Sequence, residues 1–264
     1  MDKQLEIKRD FAIEMAKNAM AIMRGEFKPK MEKSLKKDKS FVTETDLKIN
    51  DMVISEVKKR FPDHSVIAEE GNYISNKGGN YIYVCDPLDG TIAFSHDTPT
   101  FCFSLSLVEK GNGMPIIGVA NNFDRSEDFI YSAVKGHGAF LSGKHIHVSK
   151  DSRLKGSVIG LANWTGAQFD MTSLYKRLVD SGAGVLMPGS IVFSGLKVSS
   201  GEYSVAIHPA RMSYETPALK VIVEEAGGRE TDLFGKNNMS YDKIRGSVLS
   251  NGILHDEIVA LMRK

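Results

Sequence analysis

The 264-residue chain has little cysteine, no surplus of charge and no long apolar run. Each shortage excludes something. Its two cysteines, Cys85 and Cys102, sit inside apolar, strand-like stretches. Two thiols in a chain of this length, with no secretory signal, read as reduced residues, which excludes a disulfide framework and points to the cytoplasm. Lysine and arginine number 34 against 33 acids, a net charge of +1, so no nucleic-acid-binding surface is expected. No apolar run approaches the roughly 18 residues of a membrane helix. The opening MDKQLEIKRDFAIEM breaks its apolar residues with charges, as a signal peptide does not. Internal repeats and low-complexity segments are missing too. The expectation is a soluble, cytoplasmic protein with neither a membrane nor a nucleic-acid partner.

What is present falls into two parts, 1–149 and 150–264. Ala12, Met15, Ala16, Ala19 and Met23 recur at helical spacing, which predicts a first helix over 5–24. The basic stretch FKPKMEKSLKKDKS (27–40) has almost no periodicity and reads as a mobile, lysine-rich loop. A helix is expected from about Asp46 to Phe61, with Thr43 and Thr45 as candidate caps and Pro62 closing it. Short β-rich runs follow, SVIAE, YIYVCD, FCFSLSLVEKG, PIIGVANNF and DFIYSAVKG, and predict an antiparallel or mixed sheet. Beyond Ser149, strand-like SVIGLA, GVLM, YSVAIH and SVLS alternate with helical patterns near 170–182, 190–200, 215–226 and 254–263. That alternation argues for layered helices and sheets.

The chemistry lies in the acids. Asp46 stands at a helix start, Glu69 and Glu70 end the SVIAEE strand, Asp86 ends YIYVC with Asp89 in the turn after it, and Glu215 opens a helix. Taken singly, each has an ordinary explanation as a cap, a solvated strand end or a turn residue. Taken together, carboxylates at one place repel unless a cation or protons neutralise them. Oxygen ligands without histidine or cysteine suit Mg²⁺, Mn²⁺ or Ca²⁺ rather than zinc. Two aspartates three residues apart could bridge and hold two such ions, an arrangement suited to in-line phosphoryl displacement. Gly90 lets backbone N–H groups approach an anion, and the Thr91 hydroxyl could relay a proton between a bound water and Asp46.

These residues resemble the inositol monophosphatase superfamily of Mg²⁺-dependent, lithium-sensitive phosphatases. The signature D-P-[IL]-D-G-T is Asp86-Pro87-Leu88-Asp89-Gly90-Thr91, and V-T-x-x-D is Val42-Thr43-Glu44-Thr45-Asp46. The G-E-E element appears as Ala68-Glu69-Glu70, and YSAVKGHGAFLSGKHIHVS is similar to a further family segment. The last element runs from Tyr214-Glu215-Thr216-Pro217-Ala218 to Glu225-Ala226-Gly227-Gly228. Five elements in family order are very specific. The resemblance implies an α+β fold, a layered αβαβα sandwich assembled as a homodimer, and two or three Mg²⁺ ions per site with Mn²⁺ as a substitute. By it, Glu69, Asp86 and the Leu88 carbonyl bind the first metal. Asp86, Asp89 and Glu215 bind the second, and Glu69 with waters holds a third. Asp46 and Thr91 activate water, and Glu70 assists through ordered water. Asp89, Gly90, Thr91, Gly189, Ser190, Arg211 and Glu215 contact the substrate.

The chain departs from the family pattern at Glu215 for aspartate, Tyr214 for tryptophan and Ala93 for the frequent asparagine. His208-Pro209-Ala210-Arg211-Met212-Ser213 also lengthens the approach to that helix. Lithium acts in the family at the second metal position, where Glu215 stands here. Lys36, Lys37 and Lys39 could neutralise a substrate phosphate, whereas His145 and His147 read as structural. The implied activity is hydrolysis of a small phosphorylated metabolite: an inositol monophosphate first, then 3'-phosphoadenosine 5'-phosphate, then fructose 1,6-bisphosphate. A chain with weakened catalysis that binds a phosphorylated ligand or a partner protein is the reading from another class.

Overall fold

Helices with one apolar stripe need a sheet to lie on, and this chain builds two sheets. The computed structural model describes residues 1–27, 34–35, 41–164, 167, 169–209, 214–237, 240–241 and 246–263. Helix α1 (Lys3–Glu26) is followed by a short antiparallel pair, β1 (Ser34–Leu35) and β2 (Phe41–Val42), and by α2 (Glu44–Arg60). Seven strands then form one sheet in chain order: β3 (Ser65–Ala68), β4 (Tyr81–Asp89), β5 (Cys102–Glu109), β6 (Pro115–Asn122), β7 (Phe129–Val134), β8 (Ala139–Leu141) and β9 (Lys144–His145). Only β3 and β4 run parallel in it. A one-turn helix, α3 (Thr91–Ser95), joins β4 to β5.

The second sheet takes β10 (Val158–Leu161), β11 (Gly184–Leu186), β12 (Val205–His208), β13 (Arg229–Thr231) and β14 (Ser247–Ser250) in the order β11-β10-β12-β14-β13. Helices α4 (Met171–Asp180), α5 (Ile191–Ser199), α6 (Thr216–Glu225) and α7 (His255–Met262) accompany it. Strands β10, β11 and β12 are mutually parallel, so their C-terminal ends, and the loops that leave them, open at one edge.

The cores fix the layers. Met15, Met20, Ile49 and Val53 of α1 and α2 pack on Tyr83, Phe103 and Leu105 of the first sheet. Val192, Leu196, Leu219 and Ile222 of α5 and α6 lie between Ala120 and Tyr131 of that sheet and Ala206 and Leu249 of the second. Leu174, Leu178 and Ile258 of α4 and α7 cover Val205, Ile207 and Val248 on the far face. Alternation along β12 divides its residues between two cores, Ala206 inward and Val205 and Ile207 outward. The stack is αβαβα. Each buried Val, Leu, Ile, Phe or Met side chain among these contributes roughly 1.5–3 kcal/mol by burial. Helix α6 crosses the first sheet so closely that a Cβ on Gly118 would lie 2.3 Å from the Ala218 carbonyl oxygen.

The sequence pattern misplaces some details. Helix α2 begins at Glu44, capped by Thr43 and not by Thr45. Ser34–Leu35, within the expected loop, pairs as a strand. Strands β8, β9 and β13 have two or three residues each, too few for a period-two signal.

Candidate active site

Strand β4 answers why two aspartates stand three residues apart. With period-two alternation they would face opposite sides of the sheet. Pro87 has no N–H for the ladder, and the register shifts there: Asp86 pairs with Ser104, but Asp89 pairs with Cys102. Three residues on β4 thus oppose two on β5, one extra residue bulges, and both acids emerge on one face. Asp89 is therefore a strand residue and not, as the sequence suggested, part of the following turn. The Leu88 N–H donates to Asp86 Oδ1 at 2.9 Å. Gly90 follows at φ 92°, and a Cβ there would meet the Thr100 carbonyl oxygen at 2.9 Å, so the chain turns into α3 only with glycine.

Asp46 comes from the first turn of α2 and is buried. Its Oδ2 accepts from the Thr43 N–H at 2.8 Å and the Thr43 hydroxyl at 2.5 Å, closing the helix end. Its Oδ1 accepts from the Thr91 hydroxyl at 3.3 Å. One carboxylate thus caps a helix with one oxygen and meets Thr91 with the other. Thr91 Oγ1 also lies 3.2 Å from the Leu88 carbonyl oxygen, and its single proton serves one acceptor at a time.

Glu215 precedes α6 and brings its carboxylate to β4. One oxygen each of Asp86, Asp89 and Glu215 lie within 4.8 Å of one another. Burial holds the Asp86 carboxyl well above the ordinary carboxylate range, and the like charges of Glu69, Glu215, Asp89 and Asp46 push the same way. Burial also pushes Asp89 up to about 6, opposed by hydrogen bonds from Ser190 and the backbone of Val192 and Ile191. Asp46 is raised mainly by burial, against its bonds from Thr43. A mostly buried, oxygen-only, mutually repelling set fits a hard divalent cation.

Parallel pairing sets Ala68 beside Cys85, which brings Glu69 and Glu70 to the end of β4. The Glu69 N–H donates to the Cys85 carbonyl at 3.3 Å. Glu69 is outside the three-oxygen group, although its charge bears on Asp86 more than any other. Gly189, at φ 82°, leads into α5. The Ser190 hydroxyl donates to Asp89 Oδ2, as does the Val192 N–H at 2.6 Å. Arg211, Lys36, Lys37 and Lys39 lie outside the described residues.

Sequence reasoning missed the Ser190–Asp89 contact, which joins residues 101 apart and leaves no local signal. It also missed what two of the family elements do. Glu225, at the end of α6, accepts from the Gly136 and Gly138 N–H groups, both at 2.7 Å, and so ties the second half to the first sheet.

A model of the inositol monophosphatase family matches residues 5–264. The chain belongs to that family. It is a family of metal-dependent phosphatases, and this member carries an acidic cluster able to hold metal. A fructose-1,6-bisphosphatase/inositol-1-monophosphatase of Thermotoga maritima is 33% identical over 227 residues, 86% of this chain and 84% of that one. The Nus factor SuhB of Pseudomonas aeruginosa is 30% identical over 75% of this chain and 74% of its own. The solved structure of the Thermotoga maritima IMPase superposes with a TM-score of 0.85 at 28% identity, covering 96% of each chain. Among the described residues, no helix is long and apolar enough to cross a membrane.

Proposed function

We propose that this inositol monophosphatase family member hydrolyses a small phosphorylated metabolite, first of all an inositol monophosphate, with Mg²⁺ as its cation and Mn²⁺ as a substitute. The observation that carries the proposal is the convergence of Asp86, Asp89 and Glu215 beside the Asp46–Thr91 pair. Asp86, Asp89 and Glu215 would hold one ion, and Asp86, Glu69 and the Leu88 carbonyl another. Bound cations there would offset the charge of the phosphate, acidify water and stabilise the leaving oxygen.

The protein's own part is proton handling and placement. When the Thr91 proton passes to Asp46 Oδ1, Thr91 Oγ1 can take a proton from water, which leaves that water ready to attack phosphorus. With the Thr91 proton directed at Asp46, the Leu88 carbonyl keeps its lone pairs for a cation. Glu70 would order the neighbouring water, while Gly90, Gly189 and Arg211 would line the phosphate and its leaving group. On this reading residues 1–149 supply most cation ligands and 150–264 close the substrate side, in a homodimer that light scattering in solution would reveal.

The test is phosphate release from inositol 1-phosphate, 3'-phosphoadenosine 5'-phosphate and fructose 1,6-bisphosphate, with Asp89→Asn as control. Turnover of one substrate that needs Mg²⁺ and vanishes in the variant is expected. A second reading, a phosphorylated-ligand or partner-binding protein with weakened catalysis, draws on Glu215 standing where the family carries aspartate. Cation binding by calorimetry with no turnover of any substrate would favour it.

A further inference from the structure

The strongest unassigned contact is the one between α5 and Asp89. Ser190 is buried at 4% exposure, and its hydroxyl has two duties. It accepts from the Phe193 N–H at 2.9 Å, capping α5, and it donates to Asp89 Oδ2. Because Phe193 occupies a lone pair, the hydroxyl proton is directed at Asp89. The Val192 N–H, an otherwise unsatisfied donor of the first helical turn, reaches the same oxygen at 2.6 Å. With the Ile191 backbone as a further donor, three groups from one half of the molecule therefore fix the rotation of a carboxylate on the other half.

We propose that Ser190 is a positioning residue: by holding Asp89 Oδ2 it leaves Oδ1 to be offered to the cation, and it makes cation affinity depend on the docking of α5 against β4. This rests on the reading of Asp89 as a metal ligand. A ligand whose second oxygen is already hydrogen-bonded reaches its binding geometry without losing further rotational freedom, which is how outer contacts tune metal affinity. Without the Ser190 proton, Asp89 would keep only backbone donors and could turn away from Asp86 and Glu215.

The experiment is Mn²⁺ and Mg²⁺ titration by calorimetry, without substrate, on the wild-type chain, Ser190→Ala, Ser190→Thr and Asp170→Ala. Asp170 caps α4 by accepting from Thr172 and Ser173, so its loss reproduces a missing helix cap away from the acids. The expected result is roughly 10–100-fold weaker cation binding in Ser190→Ala, restored by Ser190→Thr and unchanged in Asp170→Ala. The cation dependence of phosphate release should shift by the same factor. Wild-type affinity in folded Ser190→Ala, or an equal loss in Asp170→Ala, overturns the proposal. A wild-type chain that binds no cation at all would instead overturn the ligand assignment beneath it.

Discussion

Helix α6 meets two groups of acids, each built around buried carboxylates, and they follow opposite principles. In its second turn, the Lys220 ammonium donates to Glu224 at 2.7 Å, Glu230 at 3.1 Å and Asn237 at 2.7 Å, so its three protons have three acceptors. Ser247 gives its hydroxyl proton to the other Glu230 oxygen at 2.6 Å. At the start of the same helix, Glu215 faces Asp86 and Asp89, where burial is compounded by like charge. The first group carries its own cation and is closed. The second is held apart by backbone and hydroxyl donors in a state that a cation from solution would complete. The two groups thus differ in what compensates their acids and not in burial, because Glu230 and Asp86 are equally hidden at 1% exposure.

Removing one acid from the open group should do the greatest harm to activity and little to the fold. Asp86→Asn keeps an acceptor for the Leu88 N–H while deleting a charge that its neighbours oppose. Phosphate release is expected to fall on the order of 10⁴-fold, about 5.4 kcal/mol of barrier. The melting temperature without metal should be unchanged or higher, and the rise with added Mg²⁺ expected of the wild type on the proposed reading should be missing. A variant that melts well below the wild type in metal-free buffer would mean that the two groups are built alike after all.

The closed group should behave in the reverse sense. Lys220→Met removes the ammonium that Glu230 meets at 3.1 Å in the interior, and breaking such a buried pair costs about 3–5 kcal/mol. In a chain of this size that corresponds to roughly 6–20 °C of melting temperature. Turnover measured well below the transition should stay close to that of wild type. A large loss of turnover in well-folded Lys220→Met would tie this lysine to the chemistry and dissolve the contrast.

How much of this was legible in the sequence follows from the range of each interaction. The motif Asp86-Pro87-Leu88-Asp89-Gly90-Thr91 is local, and Gly90 announces its left-handed residue and helical turn; in sequence the bulge reads as a turn, because only the register against β5 shows that Asp89 is still in the strand. Helices α1, α2 and α4 to α7 stood out by their period and fell close to their expected bounds. The closed group was invisible, because Lys220, Glu230 and Ser247 come from a helix and two strands that only the folded sheet brings together. Ser190 looked like a substrate-side residue from its place beside Gly189, and only the packing of α5 on β4 turns its hydroxyl to Asp89. Motif spacing gives identity; partnership across some 100 residues does not register in it.

Hydroxyls sharpen the same contrast at a smaller scale. In the closed group Ser247 only holds Glu230, whereas Thr91 in the open group sits between Asp46 and the Leu88 carbonyl with one proton for two acceptors. Thr91→Val preserves shape and removes the proton path. Turnover is expected to fall about 10²-fold, near the low end for general acid–base contributions, with KM and cation affinity retained. Ser247→Ala should leave turnover alone and lower stability by about 1–3 kcal/mol, the cost of a buried acceptor left short. If Thr91→Val turns over at the wild-type rate, proton transfer runs by another route.

The smallest expected effect concerns protons in place of metal ions. His208 closes β12 on the second sheet, 2% exposed, with Nε2 3.3 Å from the Thr216 hydroxyl and Nδ1 lacking a partner among the described residues. Burial alone lowers its pKa to about 3, so the fold accepts only the neutral ring. An unfolded chain takes up that proton near pH 6.5. Above pH 6.5 neither state is protonated and His208 costs nothing. Between 6.5 and about 3 the unfolded state binds one more proton, and stability falls by about 1.4 kcal/mol per pH unit from this residue. Urea unfolding at pH 7.5 and pH 5.5 should therefore show a drop of roughly that size in the wild type that is missing in His208→Gln, whatever constant offset the substitution introduces. Parallel losses in both proteins would mean that His208 can be protonated in place and that the second sheet admits a buried charge there.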